Sequence, residues 1–482
     1  MKNRKNLSIV QMNDSHAYFD SHQEMFWQHD HAAYRPAGGY ARIATIVKQI
    51  RAENPGNVLF CDCGDTLHGT YPALDTQGQS LIPILNSLGL DAMTAHWEFA
   101  YGPKVFNQRV AELNYPMLAN NIYDKETKKP VYRPYTVKEV GGLQTGLVGI
   151  ASNIVDKTMP PSFSEGIFFT LGRDELPQIV DRLRNKEMVD LIVLVSHLGF
   201  PQEMKLLSEV DGIDICLSGH THNRLYKPVI NGKTIVIQSG CHGSFLGCLD
   251  LEVDDRQIVD YRHRLIEVEA AIQPDPRVDE LIRQALATYE HDLAEIVGET
   301  ATALNRGTIL EATMDNFLLQ ALIESTGAQL AFSNGWRYGA PIVPGKITLN
   351  DLYNIIPTNP PVSTIELIGE EIKEMLEENL ERTFSCDPYK QMGGYVKRCL
   401  GLNVYFKIEN SSGNRIQKLF IGNKEVQPDR YYTAAFVTMQ GVPPKYGRHR
   451  ENRSERVIDS LRAYLVRHHP LYAELKGTFV AV

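Results

Sequence analysis

The amino-acid sequence predicts a two-domain α/β protein whose first domain contains a buried sheet covered by helices. The first observation is a repeated pattern in the first half, where short apolar runs end in a polar residue and helical stretches follow. Uninterrupted apolar strands that alternate with amphipathic helices are typical of a sheet covered on its faces. The second observation is a change of pattern at Gln273–Pro276, where two prolines end the preceding structure. With 482 residues, the chain is long enough for more than one domain.

Six apolar runs define the predicted strands of the first half, and a seventh run differs from them. The six cover residues 7–12, 58–60, 147–150, 191–195, 213–217 and 234–237. Residues 245–253 (FLGCLDLEV) alternate apolar and polar side chains more regularly, which predicts an antiparallel strand.

A segment with helical spacing, residues 277–297, follows the two prolines and is predicted to connect the domains. The predicted organisation is therefore a first domain over residues 1–270, a connecting helix over 271–299 and a second domain over 300–482. Within the second domain, the spacing predicts helices over 316–326, 369–382 and 455–467 and a hairpin-like region over 404–426.

The composition argues against several classes of protein. Lysine and arginine (49) are outnumbered by aspartate and glutamate (58), so the net charge is −9. The sequence contains no block of basic residues of the kind that binds nucleic acid. No apolar run approaches the roughly 18 residues of a membrane span. The basic opening over residues 1–6 precedes too short an apolar run for a signal peptide, and the seven cysteines are few and odd in number. We expect a cytoplasmic protein that acts on a small molecule, with its oligomeric state left open.

Acidic and imidazole side chains follow the predicted strands of the first half. They are Asp14, His16, Asp65, His96, His197, His220 and His222. Because ligands of an open α/β sheet bind beyond the carboxyl ends of its strands, these side chains are predicted to converge. Two carboxylates and five imidazoles are costly to bury alone, and a pair of divalent cations offsets that cost. Nitrogen and oxygen donors favour Mn²⁺ here, with Zn²⁺ and Fe²⁺ as alternatives.

Other residues of the same types are interpreted as structural. The histidines in this class are His22, His29, His31, His68, His242, His468 and His469. Among them, His242 has the strongest claim to a functional role because it lies in a loop of small residues. Cys61 and Cys63 flank Asp65 and are interpreted as packing thiols rather than as ligands.

Four motifs of the first half resemble those of the calcineurin-like metallophosphoesterases. They are Asp14-Ser15-His16, Gly64-Asp65, Ser196-His197-Leu198-Gly199 and Gly219-His220-Thr221-His222. The second half is similar to the C-terminal domain of bacterial 5′-nucleotidases at Asp315-Asn316-Phe317, Ser333-Asn334-Gly335 and Gly345-Lys346-Ile347-Thr348. The resemblance covers nearly the whole chain. It implies a β-sandwich flanked by helices, followed by the connecting helix and a smaller α/β domain that binds substrate.

The resemblance also implies a dinuclear metal centre. By their positions in the motifs, Asp14, His16, Asp65 and His222 would hold one ion, and Asp65, His96, His197 and His220 would hold the other. Asp65 would bridge the two ions. Two adjacent ions polarise a substrate and lower the pKa of a bridging water, and the resulting hydroxide attacks the ester. Asp65 and His96 are accordingly the expected catalytic residues of this domain.

One motif departs from the phosphoesterase pattern. The family's usual Gly-Asn-His-Glu is replaced by Ala95-His96-Trp97-Glu98. His96 can still bind a metal, but Trp97 cannot transfer a proton to a leaving group. The same departure, within AHWEFAYG, is similar to the SoxB thiosulfohydrolase branch of the superfamily, as are Arg337-Tyr338-Gly339 and residues 387–394 (DPYKQMGG).

The resemblance places further substrate-binding residues in the second domain. In 5′-nucleotidases two aromatic rings of this domain sandwich the base, and arginines bind phosphate or ribose. The corresponding candidates here are Trp336, Tyr389 and Tyr395 for stacking, Asn334 beside them in sequence, and Arg337, which would clamp an oxyanion as a third catalytic residue. In the first domain, Asn120 either lines the cleft or caps a turn.

Three functions are compatible with these features. The leading hypothesis is a two-metal hydrolase that cleaves a nucleotide or a related small phosphoester. The first alternative is a SoxB-like thiosulfohydrolase acting on a cysteine S-sulfonate, which Trp97 favours and the missing export signal opposes. The second alternative is a non-catalytic protein that holds an anion at its metal site, which the otherwise complete ligand set opposes.

Overall fold

The computed structural model describes residues 4–482, so residues 1–3 of the basic opening lie outside the described part. The chain divides into two compact units. The first contains the chain up to residue 22 and residues 36–287, and the second contains residues 23–35 and 288–482. The predicted boundaries at residues 270 and 299 lie on either side of the division at residue 287.

The first unit is built on two sheets. In chain order, the strands up to residue 267 are β1 (Lys5–Met12), β2 (His22–Gln28), β3 (His31–Ala37), β4 (Val58–Asp62), β5 (Ala92–Met93), β6 (Ile122–Asp124), β7 (Tyr135–Val140), β8 (Leu143–Ile150), β9 (Ile167–Phe169), β10 (Leu191–Ser196), β11 (Ile215–Leu217), β12 (Val229–Asn231), β13 (Thr234–Ile237), β14 (Phe245–Asp254) and β15 (Gln257–Glu267). One sheet has the order β15-β14-β1-β4-β5 and the other β12-β13-β11-β10-β8-β7. Strands β1, β4 and β5 run parallel, as do β8, β10, β11 and β13.

Helices cover the outer faces of both sheets. They are α1 (Tyr40–Glu53), α2 (Tyr71–Asp75), α3 (Ile82–Leu88), α4 (Pro103–Glu112), α5 (Val155–Thr158), α6 (Leu176–Asn185), α7 (Phe200–Leu207) and α8 (Pro276–Leu286). Successive side chains of a strand point to opposite faces of its sheet, which separates the core into layers. Ile9 and Val193 lie in the apolar cluster between the two sheets. Their neighbours in sequence face the helices: Val10 packs with side chains of α1, and Leu194 packs with those of α6 and α7. A sandwich flanked by helices confirms the predicted fold class.

The second unit contains a mixed five-stranded sheet and a smaller four-stranded sheet. Its strands are β16 (Ile296–Thr300), β17 (Leu330–Gly335), β18 (Gly345–Thr348), β19 (Pro361–Ile368), β20 (Tyr395–Leu400), β21 (Asn403–Phe406), β22 (Ile416–Ile421), β23 (Lys424–Glu425), β24 (Tyr431–Phe436), β25 (Arg448–Arg456) and β26 (Phe479–Ala481). Its helices are α9 (Glu290–Leu293), α10 (Thr313–Thr326), α11 (Leu349–Ile355), α12 (Gly369–Phe384), α13 (Thr438–Gly441) and α14 (Val457–Arg467). The sheet orders are β20-β17-β24-β19-β25 and β23-β22-β21-β26.

The predicted connecting helix is interrupted. Helix α8 ends at Leu286, α9 covers only Glu290–Leu293, and β16 begins at Ile296, inside the segment predicted as helical. The reason is non-local, because β16 pairs antiparallel with β18 some fifty residues later in the chain, with Glu299 opposite Lys346. Backbone pairing with a distant strand overrides the local helical spacing.

A buried ion cluster explains the Asp315 motif of the second unit. One carboxylate oxygen of Asp315 lies 2.9 Å from Nη2 of Arg306, and the other lies 2.9 Å from Nε of Arg398. All three side chains are at most 2 % exposed. Both arginines also donate to backbone carbonyls, so the Asp315 carboxylate and these carbonyls stabilise two buried cations.

No helix within residues 4–482 combines the length and the apolar character that crossing a bilayer requires.

Candidate metal centre

Loops after five strands of the first unit bring the seven predicted ligands together. Asp14 and His16 follow β1, Asp65 follows β4, and His96 follows β5. His197 follows β10 directly, and the remaining pair, His220 and His222, follows β11. Each strand runs parallel to a neighbour that also delivers a ligand, which is why the loops meet at one edge.

The first ligand group consists of Asp14, His16, Asp65 and His222, whose ligand atoms all lie within 4.8 Å of one another. Nε2 of His222 is 3.2 Å from Oδ1 of Asp14 and 3.3 Å from Nε2 of His16. Nε2 of His16 is 3.7 Å from Oδ2 of Asp65. Two carboxylates and two imidazoles therefore surround one position.

The second ligand group consists of Asp65, His96, His197 and His220, with the same mutual limit of 4.8 Å. Oδ1 of Asp65 is 3.1 Å from Nδ1 of His96, and Oδ2 is 3.2 Å from Nε2 of His197. The ring centroids of His96 and His220 are 4.9 Å apart. Asp65 belongs to both groups, so it is the residue that could bind both cations.

The donor atoms of both groups fit divalent cations. Six of the seven residues are buried, and the His222 side chain is only 7 % exposed. Nε2 of His96 is buried and has no hydrogen-bond partner among the described residues. Buried carboxylates and imidazoles with unsatisfied nitrogen are costly unless a cation binds them, and nitrogen with carboxylate oxygen suits Mn²⁺, Zn²⁺ and Fe²⁺.

Five of the seven ligands adopt an unusual backbone conformation. Positive φ angles occur at Asp14 (51°), His16 (48°), Asp65 (57°), His220 (71°) and His222 (57°). A non-glycine residue in this region costs of order 1–3 kcal/mol, and such residues cluster at functional sites. The surrounding hydrogen bonds maintain this conformation, since Asp14 donates its N–H to the Gly64 carbonyl and His16 donates to that of Asp65.

Two glycines make room for the His197 imidazole. A Cβ at Gly219 would lie 2.9 Å from Nδ1 of His197, and one at Gly64 would lie 3.1 Å from the same atom. Gly64 also has a φ of +88°, which favours glycine on conformational grounds. The glycines of the motifs Gly64-Asp65 and Gly219-His220 are therefore explained by the lack of space for a side chain beside His197.

The carboxylates of the site attract positive charge. Burial by itself opposes ionisation of Asp65, but the imidazoles of His96 and His197 outweigh it and hold the pKa of Asp65 well below its usual range. Burial lowers the pKa of His197, yet the carboxylates of Asp65 and Asp14 raise it to about 10. The carboxylates of Asp14 and Asp65 therefore favour positive charge at this position, which a bound cation would also supply.

Glu98, whose structural role the sequence does not predict, fixes the loops around Asp65 and His96. One carboxylate oxygen accepts hydrogen bonds from the N–H groups of Thr66 (2.6 Å) and Leu67 (3.3 Å), and the other accepts from the N–H of His96 (2.7 Å). Both loops therefore depend on one buried carboxylate. The sequence feature that points to Glu98 is its position two residues after His96. Its role could not be predicted from that position, because Thr66 and Leu67 lie some thirty residues earlier in the chain.

We expect Glu98→Gln to weaken metal binding by about 10- to 100-fold, the usual effect of changing a partner that orients ligands. Glutamine keeps one acceptor oxygen, and its NH₂ group would face a backbone N–H donor. Titration of the metal-free variant with Mn²⁺ measures the change. An affinity equal to that of the wild type would contradict this role.

Glu203 is a second buried carboxyl group near the centre. It accepts a hydrogen bond from the N–H of Gly199 (3.3 Å) and contacts the hydroxyls of Ser196 and Ser218. Burial raises the pKa of Glu203 to about 7. The folded protein therefore binds this proton more tightly than the unfolded chain does.

This pKa predicts a pH-dependent effect of Glu203→Gln. The stability that Glu203 contributes is present below its unfolded pKa of about 4.3 and is lost as the pH rises through about 7. The free energy of unfolding of the variant relative to wild type should therefore rise by up to about 3 kcal/mol between pH 5 and pH 8. Urea unfolding of metal-free protein at both pH values tests this; an equal difference at both would contradict it.

Trp97 is fixed beside the second ligand group. Its backbone N–H donates to Oδ1 of Asp65 (2.8 Å), and its ring stacks on His68 with centroids 4.9 Å apart. The Phe163 ring packs edge-on against it at 6.3 Å. Burial lowers the pKa of His68 to about 4, so its ring is neutral at pH 7. The interpretation of His68 as a packing residue fits this stack.

The substrate-binding candidates of the second unit lie near the ends of two adjacent strands. Asn334 is in β17, Arg337 follows it, and Tyr395 begins β20. Nη2 of Arg337 donates to the Gly394 carbonyl (2.9 Å), and its guanidinium lies 5.3 Å from the Tyr395 ring centroid. Of the aromatic candidates, Trp336 is buried, whereas Tyr389 and Tyr395 are half-buried.

Asn120 is the substrate-binding candidate of the first unit. Its amide oxygen lies against Gly172, just before α6. The side chain is buried, and neither of its polar atoms has a hydrogen-bond partner within residues 4–482. Its predicted role at the cleft stays a prediction.

Two family models match the chain. Residues 7–224 match the calcineurin-like phosphoesterases, and residues 291–439 match the 5′-nucleotidase C-terminal domain. The first match contains all seven ligands of the two groups.

Curated relatives share about a quarter of their residues with the chain. The trifunctional nucleotide phosphoesterase protein YfkN of Bacillus subtilis is 25% identical over 464 residues, which cover 86% of this chain and 30% of the relative. The chain therefore spans less than a third of that relative. The 5′-nucleotidase of Bos taurus is 27% identical over 456 residues, covering 86% of this chain and 77% of the relative.

Two solved structures share the fold over almost the entire chain. The Thermus thermophilus sulfate thiohydrolase SoxB, in complex with glycerol, has a TM-score of 0.92 at 24% identity, covering 99% of this chain and 96% of that one. A 5′-nucleotidase precursor, also from Thermus thermophilus, has a TM-score of 0.87 at 21% identity, covering 99% of both chains. At these identities the similarity establishes the fold.

Proposed function

The chain belongs to the metal-dependent hydrolases that join a calcineurin-like phosphoesterase domain to a 5′-nucleotidase C-terminal domain, and from that premise we propose that it hydrolyses a nucleotide or a related small phosphoester. One observation carries the proposal: seven donor residues form two compact groups that share Asp65. Relatives named as nucleotide phosphoesterase and 5′-nucleotidase support the substrate class.

The chain's own residues would prepare the centre for this reaction. Two bound divalent cations would supply Lewis-acid polarisation of the ester and of a water molecule. Asp65 would fix the separation of the two sites, and His96 would complete the second of them. Glu98 holds both of their loops through three N–H groups, which limits their freedom to move during turnover.

We assign substrate recognition to the second unit. Arg337 presents a guanidinium of the kind that binds oxyanions through two donors, and Tyr389 and Tyr395 offer half-exposed rings for stacking on a base. Asn334 and Trp336 complete this set as residues of the same strand end. Their contribution is expected in KM more than in kcat, because they would bind the non-reacting part of the substrate.

A sulfur ester is the second candidate substrate, and Trp97 is the observation that favours it. At this position the protein has an indole, which cannot protonate a leaving group. A thiolate leaving group has a conjugate acid with a pKa near 8.5, so its departure needs less proton transfer than that of an alkoxide. A cysteine S-sulfonate fits this requirement.

A substrate panel tests the proposal. Protein loaded with Mn²⁺ is offered nucleoside monophosphates, cyclic nucleotides, bis(p-nitrophenyl) phosphate and S-sulfocysteine. Turnover of any phosphoester supports the main proposal, and turnover of S-sulfocysteine alone supports the second candidate. If the loaded protein turns over none of them while retaining two metals, the non-catalytic alternative replaces both.

The metal, the location and the partners form part of the same proposal. Mn²⁺ is the first choice for the centre, with Zn²⁺ and Fe²⁺ as alternatives. The seven cysteines, all within the described residues, form no disulfide, which supports a reducing, cytoplasmic location. The partner we infer is a small-molecule ester.

A further inference from the structure

The buried ion cluster of the second unit adjoins the residues to which substrate recognition is assigned, and we propose that it positions them. The cluster is Asp315 with Arg306 and Arg398. The residues that it positions are Arg337 and Tyr395, which we call the recognition residues. The cluster residues act on the substrate only through them. The inference rests on the proposed function and adds the device that fixes its anion-binding group.

Arg306 fixes the segment that carries Arg337. Its Nη1 donates to the carbonyls of Tyr338 (3.0 Å) and Ile355 (2.9 Å), and its Nε donates to Oδ1 of Asp315 (3.0 Å). Tyr338 is the residue directly after Arg337. Because a buried donor that loses its acceptor is costly, these bonds oppose any shift of the peptide beside Arg337.

The residues around Arg337 are shaped to receive the Arg306 guanidinium. A Cβ at Gly339 would lie 3.1 Å from Nη1 of Arg306, and the φ of +116° at this position favours glycine. The Trp336 ring centroid lies 5.7 Å from the Arg306 guanidinium, and this ring stacks on Tyr338 with centroids 6.0 Å apart. Trp336 is only 4 % exposed, so it supports Arg337 rather than offering a face to a ligand.

Arg398 acts in the same way on Tyr395. Its guanidinium donates to the carbonyls of Thr308 (2.6 Å) and Ile309 (2.9 Å) and lies 5.3 Å from the Tyr395 ring centroid. The guanidinium of Arg337 lies 5.3 Å from the same centroid. Both distances are within the range of cation–π attraction, so the Tyr395 ring links the buried cation to the recognition cation.

The two strands that carry the recognition residues are also joined directly. Gly335 of β17 is opposite Tyr395 of β20, and a Cβ at Gly335 would lie 2.6 Å from the Tyr395 carbonyl oxygen. Arg337 donates to the Gly394 carbonyl (2.9 Å). A shift of either strand end therefore displaces the other, and one cluster fixes both recognition residues.

Positioning and simple attraction predict opposite effects of Asp315→Asn. Two arginines and one aspartate give the cluster one excess positive charge, and removal of the carboxylate leaves two. By attraction alone, the additional positive charge would tighten the binding of an anion. By positioning, the loss of the carboxylate that joins Arg306 to Arg398 frees both guanidinium groups and weakens binding.

Steady-state kinetics of Asp315→Asn test this sign, with the panel substrate that the wild type hydrolyses at saturating Mn²⁺. We expect KM to rise about 10-fold or more and kcat to stay within about twofold. The matched control is Glu377→Gln, which changes another buried carboxylate of this unit, one that accepts from the N–H groups of Arg415 and Ile416. It should leave KM unchanged. A KM at or below the wild-type value in Asp315→Asn, or an equal rise in the control, would overturn the proposal.

Tryptophan fluorescence tests the positioning without turnover. The chain has three tryptophans, Trp27, Trp97 and Trp336, so Trp27→Phe combined with Trp97→Phe leaves Trp336 as the single indole. In that background we expect Asp315→Asn to increase the quenching of Trp336 by acrylamide, and Glu377→Gln to leave it unchanged. Equal quenching with and without Asp315→Asn would contradict the proposal.

Arg398→Lys keeps the test decisive if Asp315→Asn does not fold. Lysine retains a cation beside Asp315 but lacks the planar set of donors that reaches the carbonyls of Thr308 and Ile309. KM should rise in this variant with little change in kcat, and an unchanged KM would overturn the proposal.

The positioning role and the proposed function fail in different ways. Hydrolysis of a panel substrate with an unchanged KM in Asp315→Asn and Arg398→Lys would refute only the positioning role. Increased quenching of Trp336 in Asp315→Asn, without hydrolysis of any panel substrate by the wild type, would refute the proposed function and leave the positioning of this segment intact.

Discussion

Replacing Asp65 by asparagine is expected to lower hydrolytic activity by at least about 10³-fold and to lower metal occupancy at the same time. Lewis-acid activation is worth several kcal/mol, and each 1.36 kcal/mol corresponds to a factor of ten in rate. Asp65 belongs to both ligand groups, and its two oxygens lie 3.1 Å from a nitrogen of His96 and 3.2 Å from one of His197. The amide of asparagine offers one oxygen donor, and its NH₂ group cannot bind a cation.

Elemental analysis after gel filtration and initial rates at saturating Mn²⁺ measure the two effects together. The control is Glu203→Gln, which also replaces a fully buried carboxyl group beside the centre by an amide but removes no residue of either ligand group. It should retain two metals and most of the activity. Two metals per chain in Asp65→Asn, at an affinity near that of the wild type, would contradict the bridging role.

The main strands of the first unit could be predicted because local patterns in the sequence determine them. The apolar runs at residues 7–12, 58–60 and 191–195 correspond to β1, β4 and β10, since strands buried on both faces must be continuously apolar. The grouping of the candidate ligands could be predicted because most of them follow such a run, and the carboxyl ends of parallel strands share an edge. The apolar runs and the positions of the polar residues after them were sufficient to predict these features.

Other features depend on contacts between distant segments. Strand β16 exists because β18 pairs with it, and nothing in the local spacing of Ile296–Thr300 records that partner. The hairpin residues 23–35 group with the second unit, where Nδ2 of Asn305 lies 3.0 Å from Sδ of Met25, a contact across 280 positions.

The role of Glu98 at the site also depends on contacts between distant segments and could not be predicted from the local sequence. A carboxylate two residues after a predicted ligand has several possible roles, including metal binding. Its actual partners are N–H groups of His96, Thr66 and Leu67, which only the three-dimensional arrangement of two loops brings to it. The motif signalled a functional segment, but the role of this residue follows from tertiary structure.

Replacing Trp97 by histidine is expected to raise phosphomonoesterase activity by about 10²- to 10⁴-fold, the usual contribution of a positioned general acid. The variant restores the imidazole that the phosphoesterase pattern has at this position. Histidine is smaller than tryptophan, so it fits the space between His68 and Phe163, although the loss of stacking contacts should cost some stability. Steady-state rates with nucleoside monophosphates measure the gain.

The leaving group distinguishes proton transfer from a mere change of packing. A general acid matters most when the leaving group is a poor one, so the gain in Trp97→His should be large for nucleoside monophosphates and small for p-nitrophenyl phosphate. Trp97→Phe is the matched control, because it shortens the ring without supplying a proton and should show no such dependence. S-sulfocysteine should gain little, since a thiolate leaves without protonation. An equal gain for all of these substrates would mean that position 97 acts through the shape of the pocket, and the absence of any gain would mean that another group already supplies the proton.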